Sequence, residues 1–317
     1  MTKKVLISTY PFCINDSLPI ELLKKENYQF DLNSLDRKLT SEDLEKIIAP
    51  YDALIAGTEN INEQVLNAAK NLKIISRVGI GLDSIDIQTA KKKNITITYT
   101  PDAPTKAVSE LTIGLMLNLA RQITTADKNM KNNKWQRIQG IRLENKTIGI
   151  IGVGRIGKHL IQLLQSFNAP IIANDIEPDL EFGKKYNITW VTKKKIYKKA
   201  DIISLHIPLT DLTKNLITDE KLSQMQNHTM LINTSRGGII NENDLFHALK
   251  NNIIHSAAID VFEQEPYTGP LQKLDNIILT PHMGSCSMDC RARMEIEATQ
   301  TVINFFKNQD ISKFIVN

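Results

Sequence analysis

Two α/β domains, each a doubly wound parallel sheet, are the fold class this sequence predicts. Three observations carry the prediction. Short apolar runs alternate with helix-periodic polar segments twice, once before residue 100 and again from Lys146; that is the pattern of parallel sheets covered on both faces. A glycine-rich turn, Gly152-Val153-Gly154-Arg155-Ile156-Gly157, follows an apolar strand in the second series. The 317 residues exceed one ordinary core and suit two.

In the first series, residues 5–8 read as a strand, 17–25 as a helix and 28–32 as a weak strand. Residues 41–49 form a helix with Ser41 as its cap and Leu44, Ile47 and Ile48 on one face. Strand 53–56, helix 62–71 and strands 73–77 and 95–98 complete it. Pro101 and Pro104 then break the chain, and a long apolar helix runs over 105–123 through Val108, Leu111, Leu115, Met116 and Leu119. The second series has strands at 147–151, 171–173, 201–206, 230–233, 256–261 and 276–279, with helices at 155–167 and 243–250. A last helix over 288–308 follows the final strand of that series, so its economical place is back in the first domain. The expected division is therefore a discontinuous substrate domain, 1–101 with 286–317, and a dinucleotide domain, 102–285, joined by two hinge crossings.

Composition bounds the function. Hydrophobic residues at 42% and charged residues at 23% are an ordinary globular mixture, and a net charge of +4 gives no reason to expect a nucleic-acid partner. The clusters Lys91-Lys92-Lys93 and Lys193-Lys194-Lys195 read as solvated surface. Three cysteines, Cys13, Cys286 and Cys290, lack Cys-x-x-Cys spacing, which predicts reduced thiols in a cytoplasmic protein. No histidine or carboxylate pattern completes a zinc set, so no metal is expected. The apolar run at the N-terminus is too short for a signal peptide, and no stretch approaches a membrane span.

The glycine turn carries the first chemistry. Gly152 permits a tight turn, Gly154 removes a side chain that would block a pyrophosphate, and Gly157 lets the helix lie close to the strand. The helix start offers unpaired N–H groups and partial positive charge to phosphates. Asp175 ends the next strand, 18 residues after Gly157, where an acid can accept from ribose hydroxyls. Its charge would repel a 2′-phosphate, which favours NAD over NADP.

Three later segments place polar residues at the ends of apolar strands, where open α/β sheets bind ligands. Arg236, in Thr234-Ser235-Arg236-Gly237-Gly238, can grip a carboxylate through two parallel hydrogen bonds, although an arginine in a turn is as often plain surface. Asp260, Glu263 and Glu265 lie within six positions, and some of them must be solvated loop charges. His282, after Pro281, is of the residue type suited to proton transfer near neutral pH, and a carboxylate partner would orient it.

Together these segments resemble the D-2-hydroxyacid dehydrogenase family, most closely its phosphoglycerate dehydrogenase-like branch. The matching pieces are residues 76–83, 108–112, 152–157, 234–238, 260–266 and 281–284. The resemblance implies two Rossmann-like domains with a cleft between them, NAD as cofactor, and a small 2-oxo or 2-hydroxy acid as substrate. It implies that Arg236 binds the substrate carboxylate, that His282 exchanges the proton of the 2-oxygen, and that Glu265 pairs with His282. Arg77 belongs to the implied substrate site, and Val78 and Gly79 would offer backbone N–H groups to the carboxylate. Arg155, Ile156, Asp175, His206, Pro208, Thr234, Ser235, Arg236, Asp260, His282, Gly284 and Ser285 would line the NAD site with the glycines of the turn. A homodimer is implied in the same way.

Two departures weaken phosphoglycerate itself. The loop Ile55-Ala56-Gly57-Thr58-Glu59-Asn60 holds an acid and no base, and Asp102-Ala103-Pro104-Thr105 replaces the usual Asn-Gly-Asn-Ser. The chain ends at Asn317, so feedback through a C-terminal regulatory domain is not expected. Glyoxylate or hydroxypyruvate reductase and a pathway-specific 2-oxo acid reductase remain open. So does an idle NAD-sensing corepressor. Formate dehydrogenase ranks low, because that branch has glutamine at the position of Glu265.

Overall fold

A computed structural model describes residues 2–316. The chain divides into two compact units, Met1–Pro104 with Ser285–Asn317, and Thr105–Gly284.

The first unit is a five-stranded parallel sheet. Its elements are β1 (Lys4–Ile7), α1 (Leu18–Lys25), β2 (Gln29–Leu32), α2 (Ser41–Ile47), β3 (Ala53–Ala56), α3 (Glu63–Ala68), β4 (Ile74–Arg77), α4 (Ile87–Lys92) and β5 (Thr96–Thr98). The strand order is β2-β1-β3-β4-β5. The chain leaves β1 in one direction for β2 and returns past it to β3, so the sheet changes winding direction between β1 and β3. Ligands of open α/β sheets bind outside the carboxyl ends of the strands at such a switch point. Leu6, Leu54 and Ile75 bury one sheet face against Leu44, Val65 and Leu66 of the helices.

The second unit begins with α5 (Pro104–Arg121) and α6 (Ile123–Lys131), where the sequence suggests one helix; Gln122 between them has a left-handed φ of 51°. There follow β6 (Ile148–Ile151), α7 (Arg155–Leu164), β7 (Ile171–Asn174), α8 (Leu180–Lys185), β8 (Ile188–Trp190), α9 (Lys193–Lys199), β9 (Ile202–Leu205), α10 (Asp219–Leu222), β10 (Met230–Asn233), α11 (Glu242–Lys250), β11 (Ser256–Ile259) and β12 (Ile277–Leu279). The seven parallel strands are ordered β12-β11-β10-β9-β6-β7-β8, which places the switch point between β6 and β9. One sheet face packs Leu231 and Ala257 against Leu245 and Ala248 of α11. The other packs Ile148 and Ile150 against Leu160 and Ile161 of α7, with Leu115 and Met116 of α5. The apolar stripe of α5 is thus core of this unit.

The last helix, α12 (Met288–Phe306), returns to the first unit. Its buried Met294, Ala298 and Val302 face the sheet, and Ser76 Oγ of β4 donates to its Ala298 carbonyl at 2.9 Å.

The structure corrects some boundaries. Thr40, not Ser41, caps α2: its hydroxyl accepts from Asp43 N while the Asp43 carboxylate accepts from Thr40 N. The short α4, α8, α9 and β8 carry too few residues to show periodicity, yet Asp86, Asp179 and Thr192 each accept a backbone N–H as helix caps. Lys91 and Lys92 close α4, and Lys194 and Lys195 sit exposed in the first turn of α9. Among the described residues no helix is long and apolar enough to cross a membrane.

Candidate active site

The glycine turn lies at the β6/β9 switch point. Gly152 has φ 96°, and a Cβ there would sit 2.4 Å from the His206 carbonyl oxygen, so the turn leaving β6 presses on the loop leaving β9. A Cβ at Gly157 would lie 2.2 Å from the Gly152 carbonyl oxygen. At Gly154 it would meet nothing within 4 Å: the space in front of the helix start is open, as a pyrophosphate requires. Arg155 and Ile156 form the first residues of α7. Asp175 accepts from Val153 N at 2.6 Å and from Glu177 N at 3.0 Å, which fixes its carboxylate beside the turn. These residues fit a dinucleotide.

Asp175→Ala is expected to cut the preference for NADH over NADPH about tenfold, because it removes the charge that opposes a 2′-phosphate. Steady-state kinetics with both cofactors measures this, and unchanged discrimination would refute the ribose role.

His206 lies behind the turn. Its Nε2 is 2.8 Å from Ser204 Oγ, and its buried Nδ1 has no partner. Burial pushes its pKa down to about 4 from 6.5. Between those values the unfolded chain binds the proton and the native chain does not, so the stability contributed by neutral His206 is lost as pH falls. Thermal melting from pH 7 to 4 is expected to fall less steeply in His206→Gln than in wild type. Parallel slopes would show that this ring does not titrate as described. Pro208, two residues on, is exposed and accepts from Thr213 Oγ1 at 2.6 Å.

Asn233, the buried last residue of β10, shapes the Arg236 loop. Its Oδ1 accepts from Ser235 N at 3.0 Å and Ser235 Oγ at 2.7 Å, and its Nδ2 donates to the Arg236 carbonyl at 2.8 Å. Arg236 Nη1 donates to the Ser235 carbonyl at 2.6 Å. A Cβ on Gly237 would lie 1.9 Å from the Phe262 carbonyl oxygen, so only glycine lets this loop lie against the one that carries Glu265. The sequence reading missed Asn233; an asparagine ending an apolar strand before Thr-Ser is the signature of such a side-chain turn.

Glu265 and His282 meet. His282 Nδ1 is 2.8 Å from Glu265 Oε2, and Glu265 Oε1 accepts from Phe262 N at 3.0 Å. A carboxylate accepts the proton on Nδ1, which directs Nε2 away from Glu265. The backbone at His282 is left-handed, φ 51°, and Asp260 brackets it. The Asp260 carbonyl accepts from His282 N at 2.8 Å. Its carboxyl group accepts from Thr280 Oγ1 at 2.6 Å, Met283 N at 2.9 Å and Gly284 N at 2.9 Å. Burial raises the Asp260 pKa against those hydrogen bonds. Asp260 thus positions the histidine loop, a task beyond the cofactor contact its motif implied.

Helix α5 stitches these loops together. Thr112 Oγ1 donates to the Val108 carbonyl and lies 3.0 Å from Thr234 Oγ1, which is therefore the donor between them. Ser109 Oγ lies 3.2 Å from the Ile156 carbonyl oxygen. Gly284 packs on Val108, where a Cβ would be 3.3 Å from Cγ2. Ser285 begins the return to the first unit.

Val78 N donates to the Ala56 carbonyl at 2.8 Å, and Gly79 N to Thr100 Oγ1 at 2.8 Å, both within the first unit. Arg77 is buried, and its Nη1 donates to the Val78 carbonyl.

Comparison with known proteins gives one picture. A family described as D-isomer specific 2-hydroxyacid dehydrogenase, NAD binding domain, matches residues 113–284. The chain is 36% identical over 309 residues to a hydroxypyruvate reductase of Thermotoga maritima, across 93% of this chain and 98% of that protein. It is 39% identical over 286 residues to a glyoxylate reductase of Thermofilum pendens, across 87% of this chain and 84% of that protein. Among solved structures, a D-lactate dehydrogenase with NAD+ from Lactobacillus jensenii aligns over both whole chains with a TM-score of 0.79 at 26% identity.

Proposed function

Because this chain belongs to the NAD-dependent D-isomer specific 2-hydroxyacid dehydrogenase family, we propose that it interconverts a small 2-oxo acid and its D-2-hydroxy acid through Arg236, Glu265 and His282. The pairing of His282 Nδ1 with Glu265 Oε2 at 2.8 Å, in the unit that carries the dinucleotide turn, is the observation that supports this reading best. Two of its relatives are named for hydroxypyruvate and glyoxylate, both small 2-oxo acids.

NAD, when bound, accepts or supplies the hydride at C2. In the reducing direction negative charge grows on the 2-oxygen. The Arg236 guanidinium binds the substrate carboxylate and stabilises that charge. His282 donates a proton from Nε2 to the oxygen, while Glu265 holds Nδ1–H and so keeps Nε2 directed at the substrate. In the oxidising direction the same nitrogen takes the hydroxyl proton. Each reduction consumes one hydride and one proton.

NADH oxidation followed at 340 nm with glyoxylate, hydroxypyruvate, pyruvate and 3-phosphohydroxypyruvate tests the reading. Turnover with at least one is expected. A protein that binds NADH and oxidises it with none would be a dinucleotide sensor instead.

A further inference from the structure

Glu265 stands in a stretch with no regular structure of its own. Residues 263–266 are exposed and lie in neither helix nor strand. Just before them Phe262 is buried, and its ring stacks on Tyr267 with centroids 4.4 Å apart. Between these two rings the backbone must still be turned so that Glu265 meets His282. A second acid reaches the stretch from α11: Glu242 Oε1 accepts from Glu263 N at 2.7 Å.

The base from which Glu242 reaches is rigid. It is the first residue of α11, whose cap Asn241 accepts from Asp244 N at 3.1 Å and donates from its own N to the Ile217 carbonyl at 2.9 Å. Leu245, Ala248 and Leu249 bury the helix in the core of this unit. Burial raises the Glu242 pKa, and the charges of Glu263 and Glu265 add to the rise. The Glu263 N–H opposes it by donating to the charged form. An acid held against desolvation and two like charges is poorly suited to plain surface. The bond it makes fixes the backbone two residues before Glu265, and a charged acceptor makes that bond stronger than a neutral one would.

We propose that Glu242 is a positioning residue for the Glu265–His282 pair. By holding Glu263 N it sets the loop so that Glu265 reaches Nδ1 of His282. The neutral ring then keeps its proton on Nδ1 and its lone pair on Nε2. The consequence for turnover rests on the reading of the chain as a 2-oxo acid reductase; the consequence for the ring does not. The physical basis is that the hydrogen bond made by one ring nitrogen decides which nitrogen carries the proton. With Glu265 displaced, Nδ1 loses its acceptor, and the ring reverts to the tautomer that free imidazole side chains favour in water, with the proton on Nε2.

Long-range proton–nitrogen correlation spectra of the histidine rings in alkaline solution report the tautomer. The chain has six histidines, and His282→Gln identifies the signal by its loss. Wild type is expected to carry the proton on Nδ1. Glu242→Ala should move it toward Nε2, and so should Glu242→Asp, which keeps the charge on a side chain one methylene shorter. Glu242→Gln keeps an oxygen within reach of Glu263 N and should retain the wild-type spectrum. Turnover should follow: kcat falls about 10–100-fold in the alanine and aspartate variants and stays within about threefold of wild type in Glu242→Gln. NADH affinity should stay as in wild type in all three and reports that they are folded; either the alanine or the aspartate variant suffices. A proton that remains on Nδ1 in a folded Glu242→Ala or Glu242→Asp overturns the assignment. Its departure in folded Glu242→Gln overturns it as well, as does a wild-type ring that carries the proton on Nε2. Absence of wild-type turnover with every 2-oxo acid tried overturns the reductase reading alone, and the spectra still decide the role of Glu242.

Discussion

His282→Ala is expected to lower kcat by about 10²–10⁴-fold, or about 3–5 kcal/mol of transition-state stabilisation, while NADH still binds. The reason lies in how the loop is built. His282 N and the carboxyl group of Asp260 hold the backbone, and Glu265 holds the ring at 2.8 Å. Deleting the imidazole leaves the three backbone N–H contacts to Asp260 in place. The dinucleotide turn draws on β6 and α7, which the substitution does not touch. The loss should therefore fall on kcat and not on cofactor affinity. Stopped-flow hydride transfer with fluorescence titration of NADH separates the two. A variant with near-normal kcat would remove His282 from the proton path.

On the role proposed for it, Arg236→Gln is expected to lower kcat/KM by about 10³-fold, because the substitution would delete both the carboxylate grip and the positive charge that stabilises the growing oxyanion. Lysine should rescue little: it has one ammonium point charge where the guanidinium offers parallel donors in a fixed plane. The scaffold that holds position 236 consists of Asn233 and the Gly237–Phe262 approach, and neither substitution alters it. A fall confined to NADH affinity, with substrate parameters unchanged, would place this arginine in the cofactor site instead.

The two active-site loops differ in how they could be read from sequence. Arg236, Glu265 and His282 stand at the ends of apolar strands, and strand ends are legible because apolar runs stop abruptly at polar residues. That Glu265 rather than Asp260 or Glu263 faces the histidine was not legible from the residues alone. All three acids lie within six positions, and only the chain path after β11 sends one to His282 and another beneath its loop. The partners of Val78 N and Gly79 N were not legible for a similar reason. A sequence shows that backbone N–H groups exist, but their acceptors come from Ala56 and Thr100, 22 and 21 residues away.

By itself, the sequence determined the two α/β sheets, the dinucleotide turn, Asp175 beside it and the residue types of the trio proposed for catalysis. Each of these is a local pattern, written in period, spacing or a glycine that only a tight approach requires. The tertiary structure decided the pairings that residue patterns left open. It sets Glu265 against His282, a pairing only the family resemblance had implied, and it assigns Asp260 to the loop around that histidine and Asn233 to the arginine turn. The physical reason is that a hydrogen bond depends on distance in space, and parallel strands bring together loops that the chain separates by dozens of residues.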